Sequence, residues 1–575
     1  MKKTTLTTAF CCLILNIYSQ ITFSDQTNLL VNGSVTSGVC LAVADMNNDG
    51  LDDIVRLNDA DNLEIEYQQN DGSFTRFNYG NLSGSKWGLA IADIDENGYN
   101  DIICGGAYNG INVLTANGTG TNYSNSILGG PNIFVQSVNF ADIDNDGQID
   151  FFACHDDGIS SPYENNGSGT LSYNLSLIST PSTVPSDNSG NYGSIWTDYD
   201  NDGDLDLYIS KCRLGVTDPN DGRRLNLLFQ NDGFGNYTEV ASAANLQPKG
   251  QSWAAGFEDL DNDGDLDCVI INHDITSNIY LNDGDGTFTD ITSSSGVSTE
   301  LAAMGSNGIQ VILEDFNNDT YVDIFLTSRG NTHYMFENDG DNTFTERNTG
   351  IPATPDYIQS AATGDLNNDG YIDLIAGFAN GYNSPSSNDE DMLLLNSGIG
   401  NNWSKVRLTG TTSNRSAIGA RIEIDGAWGT QIREVRSGES YGTMNSLIKH
   451  FGLGSATEIT RIVVKWPSGI EDVILNPNIN EQIDIIEGET LSAANNSLET
   501  FKVYPNPVSD VLRIQLKNNE ADAAIIRDIN GKELLQTTLT NELNTVNVKE
   551  FSAGVYFITL LNKSTSVKTI KLIKE

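Results

Sequence analysis

Histidine, cysteine and basic residues are scarce in this chain. Its 575 residues include 4 His, 7 Cys and 31 Lys plus Arg against 77 Asp plus Glu, giving a formal net charge of −46. So large an acidic excess excludes nucleic acid and anionic membrane surfaces as direct partners. The four histidines, His155, His273, His333 and His450, have no partner spacing that identifies a catalytic base, and no Ser or Cys stands in a recognisable nucleophile context. The chain is therefore read as a non-enzyme. Cys11 and Cys12 fall in the apolar N-terminal stretch, and the other five cysteines, Cys40, Cys104, Cys154, Cys212 and Cys268, are an odd number. An odd count excludes a complete disulfide framework, so buried thiols are expected. Met1-Lys2-Lys3, an apolar stretch through Ile17 and a small-residue exit at Ser19-Gln20 are too short for a membrane span. They read as a secretory signal peptide over residues 1–20, with no direct membrane insertion.

What is abundant is aspartate at regular spacing. A nine-residue loop of the form D-x-[DN]-x-[DN]-G-x-x-D occurs seven times in the first 375 residues, with side-chain oxygens at positions 1, 3, 5 and 9. Loop 1 offers Asp45, Asn47, Asp49 and Asp53, and loop 2 offers Asp93, Asp95, Asn97 and Asp101. Asp142, Asp144, Asp146 and Asp150 form loop 3, Asp198, Asp200, Asp202 and Asp206 loop 4, and Asp259, Asp261, Asp263 and Asp267 loop 5. Loop 6 contributes Asp315, Asn317, Asp319 and Asp323, and loop 7 contributes Asp365, Asn367, Asp369 and Asp373. Alternating ligand and spacer positions let oxygens converge on one hard cation, and calcium accepts such a set at flexible geometry. The absence of His and Cys from the loops argues against zinc and copper. Position 12 is never acidic, which rules out an EF-hand. Up to seven Ca²⁺ are expected, with site 6 the weakest because Thr320 stands where Gly belongs.

β-Prone runs flank the loops, such as Ile309-Gln310-Val311-Ile312-Leu313 before loop 6 and Asp323-Ile324-Phe325-Leu326 after it. A second turn signal follows about twenty residues later, as in Asn338-Asp339-Gly340-Asp341-Asn342-Thr343-Phe344. Two hairpins per repeat give four strands, and the loop starts are spaced by 48, 49, 56, 61, 56 and 50 residues. That period predicts an all-β chain led by a seven-bladed β-propeller over residues 21–402. Loop spacing, flanking strands and the Asn-Asp-Gly turn together resemble the FG-GAP or VCBS-type repeats, calcium-loop propeller blades also found in integrin α-subunits. Acidity is confined to this region: the net charge divides into +2 for residues 1–20, −47 for 21–402, −2 for 403–490 and +1 for 496–575.

Residues 403–490 lack acidic loops and are expected to form a separate small β domain. Asn414-Arg415-Ser416-Ala417-Ile418-Gly419-Ala420-Arg421, Phe451-Gly452-Leu453-Gly454 and Trp466-Pro467-Ser468-Gly469 resemble, in order, the ASPIC/UnbV module of the cartilage acidic protein-like family. A polar linker follows at 491–499. The tail at 500–575 carries Tyr504-Pro505-Asn506-Pro507 and Asp528-Ile529-Asn530-Gly531-Lys532. It resembles a type IX secretion C-terminal sorting domain, which implies a small β-sandwich, handling by the type IX secretion machinery, and export through the periplasm to the cell surface or medium.

Residues just after a blade's second strand should emerge at the end opposite the acidic loops. Lys211, Arg213, His273, Asp274 and Arg329 take such places and are the candidate ligand-binding residues. Trp87, Tyr192 and Trp253, six residues before a loop's first Asp, either reach the same rim or pack between blades. The function expected is adhesion or binding of a glycan or extracellular protein. A calcium-dependent polysaccharide-degrading enzyme, with Lys211, His273 or Arg213 as base or charge stabiliser, is the alternative.

Overall fold

In each repeat the residue before the loop pairs with the loop's ninth residue, so an aspartate opens every second strand: Ala44↔Asp53, Thr197↔Asp206 and Glu314↔Asp323 are examples. The computed structural model describes residues 21–489 and 501–574, apart from 32, 183–186, 331–332, 382–383, 399, 505–507, 517–520, 529–531, 540–542 and 563–564. The expected signal peptide and the linker at 491–499 lie outside the described residues, as do Pro505-Asn506-Pro507 and Asn530-Gly531 of the tail. Among the described residues the chain is all-β but for the helix Ser298–Met304 and two short 3₁₀ turns, and no helix is long and apolar enough to cross a membrane.

Seven sheets follow one another from Phe23 to Asn396, each a meander of antiparallel strands. Sheet 4, for example, runs Asn191–Thr197, Asp206–Lys211, Leu227–Asn231 and Tyr237–Glu239. First strands of successive sheets lie side by side, and Ile358–Gly364 of sheet 7 packs on Leu41–Ala44 of sheet 1, so the series closes on itself as in a propeller. Sheet 7 takes its outermost strand from the start of the chain, Phe23–Asp25 pairing antiparallel with Met392–Asn396. First and second strands such as Lys86–Ala92 and Asp101–Gly106 are buried along their whole length because each sheet is covered on both faces by its neighbours.

The region expected as a separate small domain does not stand apart. The described residues from 21 to 488 form one compact unit. Residues 402–486 supply a three-stranded sheet (Asn402–Thr409, Lys449–Gly454, Gln482–Ile486) and a four-stranded one (Arg421–Gly426, Gly429–Glu434, Arg461–Lys465, Glu471–Leu475). Ile418, Ile422, Ile462 and Trp466 of this cap share one apolar core with Ala92, Ile94, Phe140 and Phe151 of sheets 2 and 3.

From the cap, Ser437–Ser446 enters the centre of the ring. Thr443–Met444 adds a parallel strand to Leu41–Ala44. The Ser437 hydroxyl donates to the Ile91 carbonyl, Val311 N–H donates to the Ser440 hydroxyl, and Thr363 N–H donates to Asn445. Tyr441 is fully buried against Trp253 and its hydroxyl donates to Gln136 Oε1 at 2.9 Å. Gly438 and Gly442 have positive φ, and a Cβ on either would lie within 2.6 Å of neighbouring atoms, so the space admits only glycine there.

The Glu489–Glu575 unit has a three-stranded and a four-stranded antiparallel sheet sharing a core that includes Leu512, Ile514, Ile526, Ile558 and Leu572.

Truncating Tyr441 to Ala should destabilise the folded ring by about 3–5 kcal/mol, the usual loss for a large buried ring, and Tyr441→Phe by about 1 kcal/mol for the hydrogen bond. Thermal melts of both variants check this, and equal melting points for Tyr441→Ala and the parent would refute it.

Candidate metal loops and the opposite face

Two backbone turns shape each acidic loop. Position 4 has φ of 57–60° in all seven, a left-handed conformation that Asn tolerates best, and six of the seven residues are Asn, with Glu96 the exception. Position 6 has φ of 85–98°, and Thr320 holds 95° where the other loops have Gly. So folded, position 5 donates its N–H to one oxygen of the position-1 carboxylate at 2.9–3.2 Å, and position 6 to the other at 2.7–3.1 Å. Loop 6, expected to be the weakest, keeps the same backbone hydrogen bonds at the cost of a strained β-branched residue.

The position-9 aspartate is buried in every loop and takes two backbone N–H groups. One comes from position 2 of its own loop at 2.8–3.3 Å, the other from the third strand at 2.7–2.9 Å. Burial with other carboxylates close by pushes these acids upward, Asp101 to about 7, Asp150 to about 8 and Asp206 to about 9. Carboxylate oxygens of Asp93, Asp95 and Asp101, of Asp142, Asp144 and Asp146, of Asp198, Asp200 and Asp206, and of Asp259, Asp261 and Asp263 converge within 4.8 Å of one another. All-oxygen sets of this kind suit a hard divalent cation, whose charge would offset the burial and repulsion that otherwise keep protons on the acids.

The asparagine of the Asn-Asp-Gly turn has a role beyond turn formation. Asn338 Nδ2 donates to the Val322 carbonyl in its own loop at 3.0 Å and to the Leu260 carbonyl in the preceding loop at 2.7 Å. Asn165, Asn282 and Asn396 staple their neighbouring loops in the same way. In sheet 4 Tyr237 bridges to the Ile143 carbonyl instead.

The cap reaches all seven loops. Lys405 Nζ lies 2.8 Å from Asp365, Arg407 3.0 Å from Asp45 and Arg415 3.4 Å from Asp93. Arg421 binds Asn201 and donates to the Gly264 carbonyl, while Gly454 N–H donates to the Asn318 carbonyl. Thr412 O abuts Gly147, and Glu434 accepts the Asp198 N–H. Nothing in the spacing of these basic residues announced such partners.

At the opposite face the expected ligand residues divide. Lys211 is fully buried, donates to Asn191 Oδ1 at 2.9 Å, and is pushed down to about 8 by desolvation. Arg213 pairs with Asp156 and Asp157, and its backbone N–H donates to Gln251, whose own N–H donates to Asp274. Asp274 also pairs with Arg224 at 2.7 Å. His273 stacks on Trp253 and its Nε2 lies 2.7 Å from the Gly308 carbonyl, with its pKa pulled down to about 4 by burial. Arg329 lies over the ring of that indole, 5.8 Å from its centroid. Arg213 and Asp274 thus share one polar chain, His273 and Arg329 share Trp253, and Lys211 lies beneath the surface. Trp87 and Trp253 are themselves buried, so they pack inside the ring. The five cysteines are buried and unpaired.

Replacing Thr320 by Gly should remove about 1–3 kcal/mol of backbone strain against about 0.5–1 kcal/mol of added chain entropy. A melting point raised by one or two degrees is expected, and a lower one would contradict the strain.

Comparison with known proteins agrees with this anatomy. Family models match as FG-GAP-like repeat at residues 45–104, 93–153, 142–209, 259–326 and 315–376, as ASPIC and UnbV at 410–492, and as secretion system C-terminal sorting domain at 502–575. Cartilage acidic protein 1 of Xenopus tropicalis is 28% identical over 276 residues, covering 45% of this chain and 41% of that one. The Homo sapiens protein is 27% identical over 280 residues, covering 45% and 40%. The match thus spans well under half the length of these relatives. Among solved structures, an Agrocybe aegerita lectin specific for non-reducing terminal N-acetylglucosamine is similar at TM-score 0.38 and 20% identity, over 54% of this chain and 79% of that one. The sorting domain marks the chain for type IX secretion, to the cell surface or beyond. The chain belongs to the FG-GAP-repeat proteins that carry an ASPIC/UnbV module, related to cartilage acidic protein 1, and ends in a secretion sorting domain.

Proposed function

We propose that this is an extracellular, calcium-stabilised binding protein. Its seven sheets are the blades of one propeller, its tail is a β-sandwich address, and it engages a glycan or protein partner through the face opposite the acidic loops. One observation carries the choice of face: the cap touches all seven loops and Ser437–Ser446 fills the axis, so the loop end is already occupied by the chain itself.

The opposite face offers what a partner needs. Leu214 is 95% exposed, Tyr108 48%, Tyr357 43% and Ile275 39%, in loops that join strands at that end. A groove of about 590 Å³ opens between sheets 6 and 7, lined in part by His333, Arg347, Asp356 and Tyr357. Aromatic rings beside fixed polar groups suit sugar rings and protein side chains alike. Binding without catalysis is favoured by the state of the alternative's residues: Lys211 has no access to solvent, and His273 is stacked on Trp253 with its Nε2 held at the Gly308 carbonyl.

Calcium's contribution follows from mass action. A site with a dissociation constant of about 0.1 mM, in about 1 mM calcium, adds roughly 1.4 kcal/mol. Without the metal, acids such as Asp101, Asp150 and Asp206 hold protons more tightly in the folded state than in the unfolded chain, where they titrate near pH 4. Their stabilising effect is complete below about pH 4 and is lost as pH rises through about 7 to 9. In excess chelator the melting temperature should therefore fall from pH 5 to pH 9, whereas in calcium it should stay high across that range. A melt indifferent to chelator at every pH would remove calcium from the account.

The partner itself is sought with the secreted chain and a panel of polysaccharides and matrix proteins, scoring retention and polymer breakdown together. Calcium-dependent retention with intact polymer, weakened at least fivefold by Leu214→Asp with Tyr357→Ala, is the expected result. Cleavage of a polymer would replace this reading with the enzymatic one.

A further inference from the structure

The acidic loops differ in what already neutralises them. Lys405 is nearly fully buried, with its Nζ 2.8 Å from Asp365 Oδ2 and 2.8 Å from Asn368 Oδ1. Arg407 places Nη1 3.0 Å from Asp45 Oδ2 while its Nε binds Asp484, which holds the guanidinium in place. Asp365 and Asp45 are the first ligand positions of loops 7 and 1. Among the described residues no Lys or Arg lies within salt-bridge distance of any ligand carboxylate of loops 3, 4, 5 or 6. Loop 2 has only Arg415, more distant at 3.4 Å and substantially exposed, where solvent screens it.

Ligand composition adds to the contrast between loops 1 and 7 and loops 3 to 5, while loops 2 and 6, with Asn97 and Asn317, also present three carboxylates. Loops 1 and 7 have Asn at position 3, so each presents three carboxylates, and the resident cation leaves a net charge of −2. Loops 3, 4 and 5 present four carboxylates and −4. The loops whose acids converge in threes are 2 to 5.

We propose that Lys405 and Arg407 are built-in counter-ions of loops 7 and 1, which makes these two loops weak calcium sites, while loops 2 to 5 form the tight class. This rests on the calcium reading above and deepens it. A divalent ion entering loop 7 meets an ammonium already bound to the same carboxylate, and must either tolerate it or displace it. Displacement also costs the contacts that seat Asn402–Thr409 on the ring. By thermodynamic reciprocity, a cap that weakens calcium in these loops is itself weakened by calcium there. Loops 7 and 1 thus serve chiefly as attachment points for the cap, and loops 2 to 5 as the main metal sites.

Calcium titration by calorimetry on the full chain, with equilibrium dialysis to count bound ions, tests the assignment. Asp198→Asn in loop 4 should remove one tight equivalent, whereas Asp365→Asn in loop 7 should leave the tight count unchanged. Lys405→Met together with Arg407→Met should tighten binding in loops 1 and 7 at least tenfold and so raise the tight count. Circular dichroism confirms that each variant is folded. Equal loss of a tight equivalent from Asp365→Asn and Asp198→Asn, or seven equivalent sites in the parent, overturns the proposal while leaving calcium binding intact. No bound calcium in the parent would instead remove the calcium reading, and this proposal with it.

Discussion

Like charges confined at short range are what this structure must resolve first. Each loop turns the chain so tightly that three or four carboxyl groups face one another, and the ninth-position acid is buried outright. Such a group is tolerable only if protonated, hydrogen-bonded or matched by a cation. The backbone supplies two N–H groups to the first carboxylate and two to the last, and what remains is left for protons, metal or the cap. The same local demand, repeated at each sheet, fixes where the first and second strands part and ties the loop to the third strand.

From this follows the polarity of the ring. Its loop end is rich in unsatisfied negative charge, and the basic side chains of the cap, Lys405, Arg407, Arg415 and Arg421, converge on it. The cap is therefore less an appended domain than the electrostatic complement of the ring, joined to it further by a shared apolar core and a central strand. On the proposed function, partner recognition falls to the other end, where charges such as Arg213 with Asp157 and Arg224 with Asp274 are already paired. A surface of that kind selects through shape and aromatic contact more than through net attraction.

Much of this architecture is visible in the residues themselves. Period and strand pattern announce four-stranded repeats, because loop and strand signals are local and recur. The left-handed fourth position is also written there, in the Asn that recurs from Asn48 to Asn368 in every loop but the second, which has Glu96. What escaped is long-range. Asn338 reads as a turn former, and only the neighbouring loop reveals it as a staple. Nothing in Ser437 to Ser446 tells of its place, since the narrowness of the axis that demands Gly438 and Gly442 belongs to other segments of the ring. Lys405 and Arg407 look like ordinary solvated charges until the cap is placed on the ring, and Lys211, which looked accessible, faces inward because Asn191 from the adjoining strand closes over it.

The outermost strand of sheet 7 has a consequence for biogenesis. Phe23–Asp25 waits for Met392–Asn396, so a polypeptide emerging from its N-terminus carries an unmatched edge until nearly four hundred residues have followed. Joining ends so far apart costs loop-closure entropy, and the half-built ring exposes strands prone to mispairing. The sorting domain lies beyond that point, at 502–575. A chain ended before Met392 therefore lacks both the seam and the address, and one ended between the seam and residue 502 can close its ring yet carries no address.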